Sequence, residues 1–318
     1  MFIQILILIG GFIVLIKGAD FFVDGASNLA RNFRISKMLV GLTIVAFGTS
    51  APELAVSIKS MIAGSGEIVL GNVIGSNILN ILLILGASAM VHDLNVKNNT
   101  VKSELPIVLL LTSLLIVLMS DKILSNQVNL IDRGDGVTLL LFFLVFVYYL
   151  IKMARNKMDY DESDDEKIWS LPKSIIFTIG GMIAIVFGSN FVVDSATIIA
   201  KELGVSERII GLTIIALGTS LPELVTSIMA TKKGEYDIAI GNVVGSNIFN
   251  IGMVIGIPVA VFGGISVGSF NYTDLIFLFS SALILFMFAA NDYKIRRIEG
   301  IILLLMFMMY YTLILVRM

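Results

Sequence analysis

The chain has 318 residues, of which 57% are hydrophobic and only 14% charged, and its net charge is −2. A soluble domain is nearer half apolar and about a quarter charged, so the composition excludes a soluble globular protein, and the lack of a basic surplus excludes a nucleic-acid binder. No cysteine is present, which excludes disulfides and thiolate metal sites.

The first apolar run, FIQILILIGGFIVLI from Phe2, lacks the basic leader and small-residue cleavage site of a signal peptide and reads as a retained first span over 2–30. Lys17 sits within it and is expected to reach for the interface with its long stem. The second span, 37–62, carries GLTIVAFGTSAPEL (Gly41–Leu54), which places Gly48, Pro52 and Glu53 at membrane depth. Proline lacks an N–H and clashes with the carbonyl four residues back, so Pro52 should break this helix and free the Gly48 carbonyl. Such oxygens must be buried in protein or line a wet cavity. They are the hard donors that Na⁺, Ca²⁺ and Mg²⁺ prefer, and the hydroxyls of Thr49 and Ser50 lie beside them. The third span, 67–91, holds GNVIGSNILN (Gly71–Asn80): a GxxxG pair for close packing, then Ser76, Asn77 and Asn80 as small oxygen carriers. His92, the only histidine, falls at a helix end and cannot make a metal site by itself. Spans four and five are expected at 104–120 and 136–152.

A shift of 170 residues then reproduces the first half without gaps from about Gly10 to residue 90. Gly10-Gly11 falls on Gly180-Gly181, Asp24 on Asp194 and Ser36 on Ser206. GLTIIALGTSLPEL (Gly211–Leu224) matches its counterpart at 11 of 14 positions, and GNVVGSNIFN (Gly241–Asn250) matches at 8 of 10. The second half should therefore hold spans at 174–200, 207–231, 237–263, 274–290 and 299–316, with a second break at Pro222 beside Glu223. An odd number of spans per half inverts the second copy, and inverted repeats with a site at their interface are a transporter signature. The expected fold is an all-α polytopic membrane protein of about ten transmembrane helices. It is arranged as two inverted five-helix repeats, with broken helices 2 and 7 forming a central ion site. The repeats cover 1–152 and 174–318, and 153–173 is a hydrophilic linker.

Lys and Arg are biased to the loops after odd spans, 15 against 6, which predicts outside termini and a cytoplasmic linker. The linker run MDYDESDDEKIW (Met158–Trp169) is acidic but lacks the glycine and spacing of an EF-hand loop, so it reads as a solvated tether. Asp24 and Asp194 lie at equivalent ends of spans 1 and 6, where structural or gating roles are expected. An ionised side chain within lipid faces the bundle interior and needs a partner. No basic residue recurs to neutralise Glu53 and Glu223, so their expected partner is a bound cation. Together they offer charge −2 and up to four oxygens, enough to neutralise one Ca²⁺.

These strings, GTS-x-PE and GN-x-x-GSN-x-x-N twice over, resemble the paired repeats of the sodium/calcium exchanger family, within the cation/Ca²⁺ antiporter superfamily. The resemblance implies antiport of about three Na⁺ for one Ca²⁺ by alternating access, with spans 1 and 6 sliding on the other helices. It implies that Glu53 and Glu223 are shared ligands of Ca²⁺ and Na⁺, joined on Ca²⁺ by the carbonyls of Thr49 and Thr219. Flanking Na⁺ sites would use Ala46, Thr49, Ser50 and Ser76 from one half, and Ala216, Thr219, Ser220 and Ser246 from the other. Asn80 and Asn250 would occupy a central polar site. Potassium-dependent relatives, and some other members, carry aspartate at the position of Asn250, whereas both halves here carry asparagine; with only two carboxylates, three Na⁺ leave +1 and Ca²⁺ zero, so exchange is expected to be electrogenic and K⁺-independent. The proton/calcium branch resembles the layout but has a glutamate after its GN motif, where this chain has Val73, Ile74, Gly75 and Ser76. The alternatives are a proton-coupled Ca²⁺ or cation antiporter, and a cation channel. No enzymatic activity and no cofactor beyond the transported ions are expected. Lipid is the expected surrounding, and one inverted pair makes a complete pathway, so a monomer should suffice.

Overall fold

The computed structural model describes residues 1–124, 126, 128–156, 168–205, 214, 216–267 and 272–316. Ser206, Arg208, Gly211 and the opening of span 7 lie outside the described residues, as do the core of the acidic run (158–167) and Arg317.

Helix α1 spans Phe2–Phe33. The bent pair α2 (Lys37–Thr49) and α3 (Ala51–Ile62) follows, with 43° between its arms, and then α4 (Gly66–Val91). The two-residue strand β1 is Leu94–Asn95. Next come α5 (Thr100–Leu118), a short α6 (Asp121–Leu124), β2 (Leu130–Ile131) and α7 (Arg133–Arg155). The second half runs α8 (Leu171–Glu202), α9 (Ala216–Thr219), α10 (Leu221–Lys232) and α11 (Tyr236–Phe262). It finishes with β3 (Ile265–Ser266), α12 (Tyr272–Asp292), β4 (Lys294–Ile295) and α13 (Arg297–Val316). Among the described residues eight helices, and the bent pair as a ninth, are long and apolar enough to cross a membrane. Each expected span coincides with helix over most of its described residues, although the fourth ends at Leu118 and the eighth at Phe262, each short of the expected end. The linker is shorter than expected, because α7 runs on to Arg155 and α8 begins at Leu171.

The layering follows from burial. The apolar stretches of α4 and α11 are 72% and 83% buried, against 22% for α1 and 33% for α8. So α4 and α11 form the centre, while α1 and α8 lie on the outside of the bundle. Each of the two outer helices has 32 residues. At 1.5 Å per residue that is about 48 Å, more than a hydrocarbon core of about 30 Å needs, so both must tilt or protrude. They pack along one another through small residues. A Cβ on Gly25 would lie 2.5 Å from the Thr178 nitrogen, and one on Gly188 would lie 2.6 Å from the Leu15 nitrogen. Backbones approach that closely only where side chains are missing.

Two small ladders tie loops across the duplication. β1 pairs with β4 and β2 with β3, both antiparallel. The loops after spans 3 and 9 thus meet on one face, and the loops after spans 4 and 8 meet on the other, as five inverted spans per half require.

Candidate functional site

Both breaks form as the prolines dictate. Ser50 and Ser220 leave helical geometry (φ −87°, ψ 2° and φ −90°, ψ 4°), and Pro52 and Pro222 sit in the first turn of the helices that follow. A first-turn proline costs nothing, because its missing N–H would be unpaired there anyway. Glu53 and Glu223 stand in those same first turns, at the positive end of each helix dipole, which favours a carboxylate. At the second break the carbonyl of Gly218, the counterpart of Gly48, is already engaged, since it accepts from Ser189 Oγ of α8 at 3.0 Å. The residue equivalent to Ser189 is Ala19, which has no hydroxyl to offer Gly48.

The two carboxylates meet in the middle of the bundle. Glu53 and Glu223, one from each repeat, are each 1% exposed. Among the described residues no lysine or arginine pairs with either. Glu223 accepts from Ser50 Oγ at 3.2 Å, and its other oxygen has no partner. The Thr219 hydroxyl lies against Glu53, yet neither Glu53 oxygen has a well-formed hydrogen bond. Buried charge without a partner is costly by several kcal/mol per ion, so this pair is not there for stability.

Neutral oxygens surround the pair, and the structure groups them across the halves rather than within each half. Thr49, of the first repeat, reaches Asn242 Oδ1 at 3.0 Å. Ser50 beside it donates to Glu223 at 3.2 Å, and Ala46 packs against Gly245, whose Cβ would fall 2.6 Å from its own. On the other flank Ser220 contacts Ser76 at 3.4 Å, beside Thr219 and Glu53. Ser246 is fully buried with its hydroxyl unpartnered. Ala216 begins α9, and its side chain lies outside the described residues. Asn80 and Asn250 are both buried, and each leaves its amide oxygen without a partner. Among the described residues no group of three or more His, Cys, Asp or Glu gathers to hold a metal. The centre is thus two carboxylates set in hydroxyls and amides, a donor set suited to hard cations.

Several features of this centre were not legible beforehand. In α4 and α11 a π-helical turn begins at Asn80 and at Asn250, running Asn80–Leu85 and Asn250–Ile255. A third, Gly41–Val45, precedes the first break. Such turns concentrate at functional sites because they widen the helix and re-aim side chains, and they leave no residue signature. Asn72 and Asn242 brace the glutamates by reaching the carbonyls of Glu53 and Glu223, both at 3.4 Å.

The two faces of the bundle differ. On the face opposite the linker, a cleft of about 120 Å³ leads past Asn190, Asp194 and Val193 of α8 to Thr219 and Pro52. On the linker face the equivalent acids are bridged. Lys233 Nζ contacts Asp20 at 2.6 Å and Asp24 at 2.5 Å, and the Asp20 carbonyl at 2.8 Å. Glu235 adds Lys37 at 2.9 Å and Ser27 at 2.7 Å. A shift of 170 places Ala63 where Lys233 would be needed on the open face. Lys17 reaches only Asp20, at 3.9 Å, and is largely exposed. Asp24 is thus bridged by Lys233, while Asp194 lines the cleft.

Similarity to known proteins agrees with this architecture. The family model described as sodium/calcium exchanger protein matches residues 3–152 and 173–316. Inner membrane protein YrbG of Escherichia coli is 37% identical, over 81% of this chain and 80% of its own. Sodium/calcium exchanger MaX1 of Methanosarcina acetivorans is 33% identical, over 97% of each. A solved structure of the sodium-calcium exchanger NCX_Mj, soaked with 10 mM Na⁺ and zero Ca²⁺, superposes with a TM-score of 0.83 at 33% identity, covering 96% of this chain and 97% of that one. This multi-pass membrane chain, with its inverted repeats and paired broken helices, therefore belongs to the sodium/calcium exchanger protein family.

Proposed function

We propose that the protein is a secondary antiporter that exchanges Na⁺ for Ca²⁺ across the membrane by alternating access. One observation carries this reading: two buried carboxylates, one from each inverted repeat, meet without a cationic side chain and with three of their four oxygens unpartnered. Ca²⁺ takes six to eight oxygens. The carboxylates of Glu53 and Glu223, with the carbonyls of Thr49 and Thr219, would supply the first of them. Na⁺ would bind on the two flanks. One flank would use Ala46, Thr49, Ser50 and Ser246 beside Glu223, and the other Ala216, Thr219, Ser220 and Ser76 beside Glu53. Asn80 and Asn250 would complete the centre.

Charge sets the coupling. Two carboxylates bind one Ca²⁺ with net charge zero, and three Na⁺ leave +1. Exchange at three to one would be electrogenic, and one charge crossing 100 mV adds about 2.3 kcal/mol to the drive. With asparagine at 250 there is no third carboxylate to require K⁺. The cleft beside Asp194 would be the open mouth, and the Lys233 bridges would hold the other side shut. Following the Lys/Arg bias, the linker face would be cytoplasmic, the termini outside, and the described conformation outward-facing.

The test is ⁴⁵Ca²⁺ uptake into proteoliposomes loaded with Na⁺, beside K⁺-loaded and pH-gradient controls. Uptake should require internal Na⁺, ignore K⁺ and respond to an imposed potential. Uptake driven by a proton gradient instead would overturn the Na⁺-coupled reading, and currents that need no counter-ion would point to a channel.

A further inference from the structure

Four asparagines at the crossing of α4 and α11 form a closed set of bonds related by the duplication. Asn77 Nδ2 donates to the Asn247 backbone carbonyl at 3.2 Å, and Asn247 Nδ2 donates to the Asn77 backbone carbonyl at 3.4 Å. Asn80 Nδ2 donates to Asn247 Oδ1 at 3.0 Å, and Asn250 Nδ2 donates to Asn77 Oδ1 at 3.0 Å. All four residues are buried at 1–2% exposure.

The polarity of this set is not arbitrary. An asparagine amide can turn over, swapping its donor for its acceptor. A backbone carbonyl only accepts, so the amide facing it must present its NH₂. That fixes Asn77 and Asn247 and makes their Oδ1 atoms point the other way. An Oδ1 also only accepts, so Asn80 and Asn250 must in turn present NH₂ to it. Their own oxygens are then forced to the opposite side, where both are buried and without a partner. We infer that Asn77 and Asn247 are positioning residues that set the amide polarity of Asn80 and Asn250, so that the ion centre receives oxygens and never NH₂ groups. An NH₂ turned inward would place a partial positive charge against a cation. The bonds cross the repeat interface, so each half orients the ligand amide of the other. The inference rests on the ion-exchange reading of the centre, and it assigns roles to residues that contact no ion.

The test is a double-mutant comparison read by Ca²⁺ titration of the purified full-length protein, with ⁴⁵Ca²⁺ uptake beside it. Asn247→Ala removes the acceptor that holds Asn80, and its Ca²⁺ affinity should fall at least about 10-fold, or 1.4 kcal/mol. In an Asn80→Asp background the same substitution should cost less than about 3-fold, since a carboxylate offers oxygen whichever way it turns. The mirror pair, Asn77→Ala with and without Asn250→Asp, repeats the test should one variant fail to fold. Equal losses in both backgrounds would mean packing rather than polarity and would overturn the inference, as would an unchanged affinity in Asn247→Ala. A wild-type protein that neither binds Ca²⁺ nor exchanges it would instead sink the ion-exchange reading, and this inference with it.

Discussion

Replacing Lys233 by methionine removes the charge that bridges Asp20 and Asp24 but keeps the aliphatic stem. The Lys233 side chain is 22% exposed, against 31% for Asp20 and 37% for Asp24, so solvent screens part of each contact. Exposed ion pairs give roughly 0–1 kcal/mol, and a charge-assisted hydrogen bond such as the one to the Asp20 carbonyl gives about 1.5–3 kcal/mol before that discount. A net of about 1–2 kcal/mol would shift the balance between the two open states roughly 5- to 30-fold. The chain has no cysteine, so single cysteines report access cleanly. Val193 lines the cleft, whereas its equivalent Val23 is fully buried. With a water-soluble maleimide, Val193→Cys should react in the parent protein and Val23→Cys should not. Adding Lys233→Met should raise the ratio of the labelling rate at Val23→Cys to that at Val193→Cys by about that factor. Unchanged rates at both positions would refute the latch.

Glu53→Gln should abolish Na⁺-driven Ca²⁺ uptake yet stabilise the ion-free protein by about 1–3 kcal/mol, because it relieves a buried like-charge contact; thermal unfolding with and without Ca²⁺ reads both effects, and retained Ca²⁺ flux would count against the site. Gly245→Ala should cost about 1–3 kcal/mol by overpacking, since its Cβ would fall 2.6 Å from that of Ala46 and 3.0 Å from the Leu42 carbonyl. Gly180→Ala, with open space around its Cβ, should be neutral in the same unfolding assay. The loop ladder should respond to pH. Asp93 accepts the Arg297 backbone N–H at 3.0 Å and pairs with Lys294 at 3.2 Å, and these hold its carboxyl below its ordinary value. A depressed carboxyl stabilises the fold above its unfolded pKa, and that stability is lost as pH falls through the lower folded value. Asp93→Asn should therefore unfold earlier than the parent at neutral pH, with the gap closing below about pH 4.

Sequence periodicity and the 170-residue shift were enough to place the spans, the inversion and the two breaks, because membrane depth permits so few backbone solutions. Glu53 and Glu223 stood out for the same reason, as charges where lipid tolerates none. What stayed hidden depends on contacts between the halves. Ser50 reaches Glu223 of the other repeat, as Ser220 reaches Ser76, and no alignment of one half on the other reveals that. The strands β1 to β4 have two residues each, too short for any alternation. One hidden feature did leave a trace in the mismatches of the duplication. Lys233 against Ala63, Asp20 against Asn190 and Ser189 against Ala19 mark which face is bridged and which carbonyl is capped, and a duplicated chain can break its symmetry only at such positions.

The most direct measurement is anomalous diffraction from crystals of the protein soaked in Ca²⁺ without Na⁺. The account predicts one strong peak between Glu53 and Glu223, about 2.3–2.6 Å from carboxylate oxygens of both, that fades as Na⁺ is raised. A peak that touches only one glutamate, or one that lies elsewhere while the space between them stays empty, would contradict it.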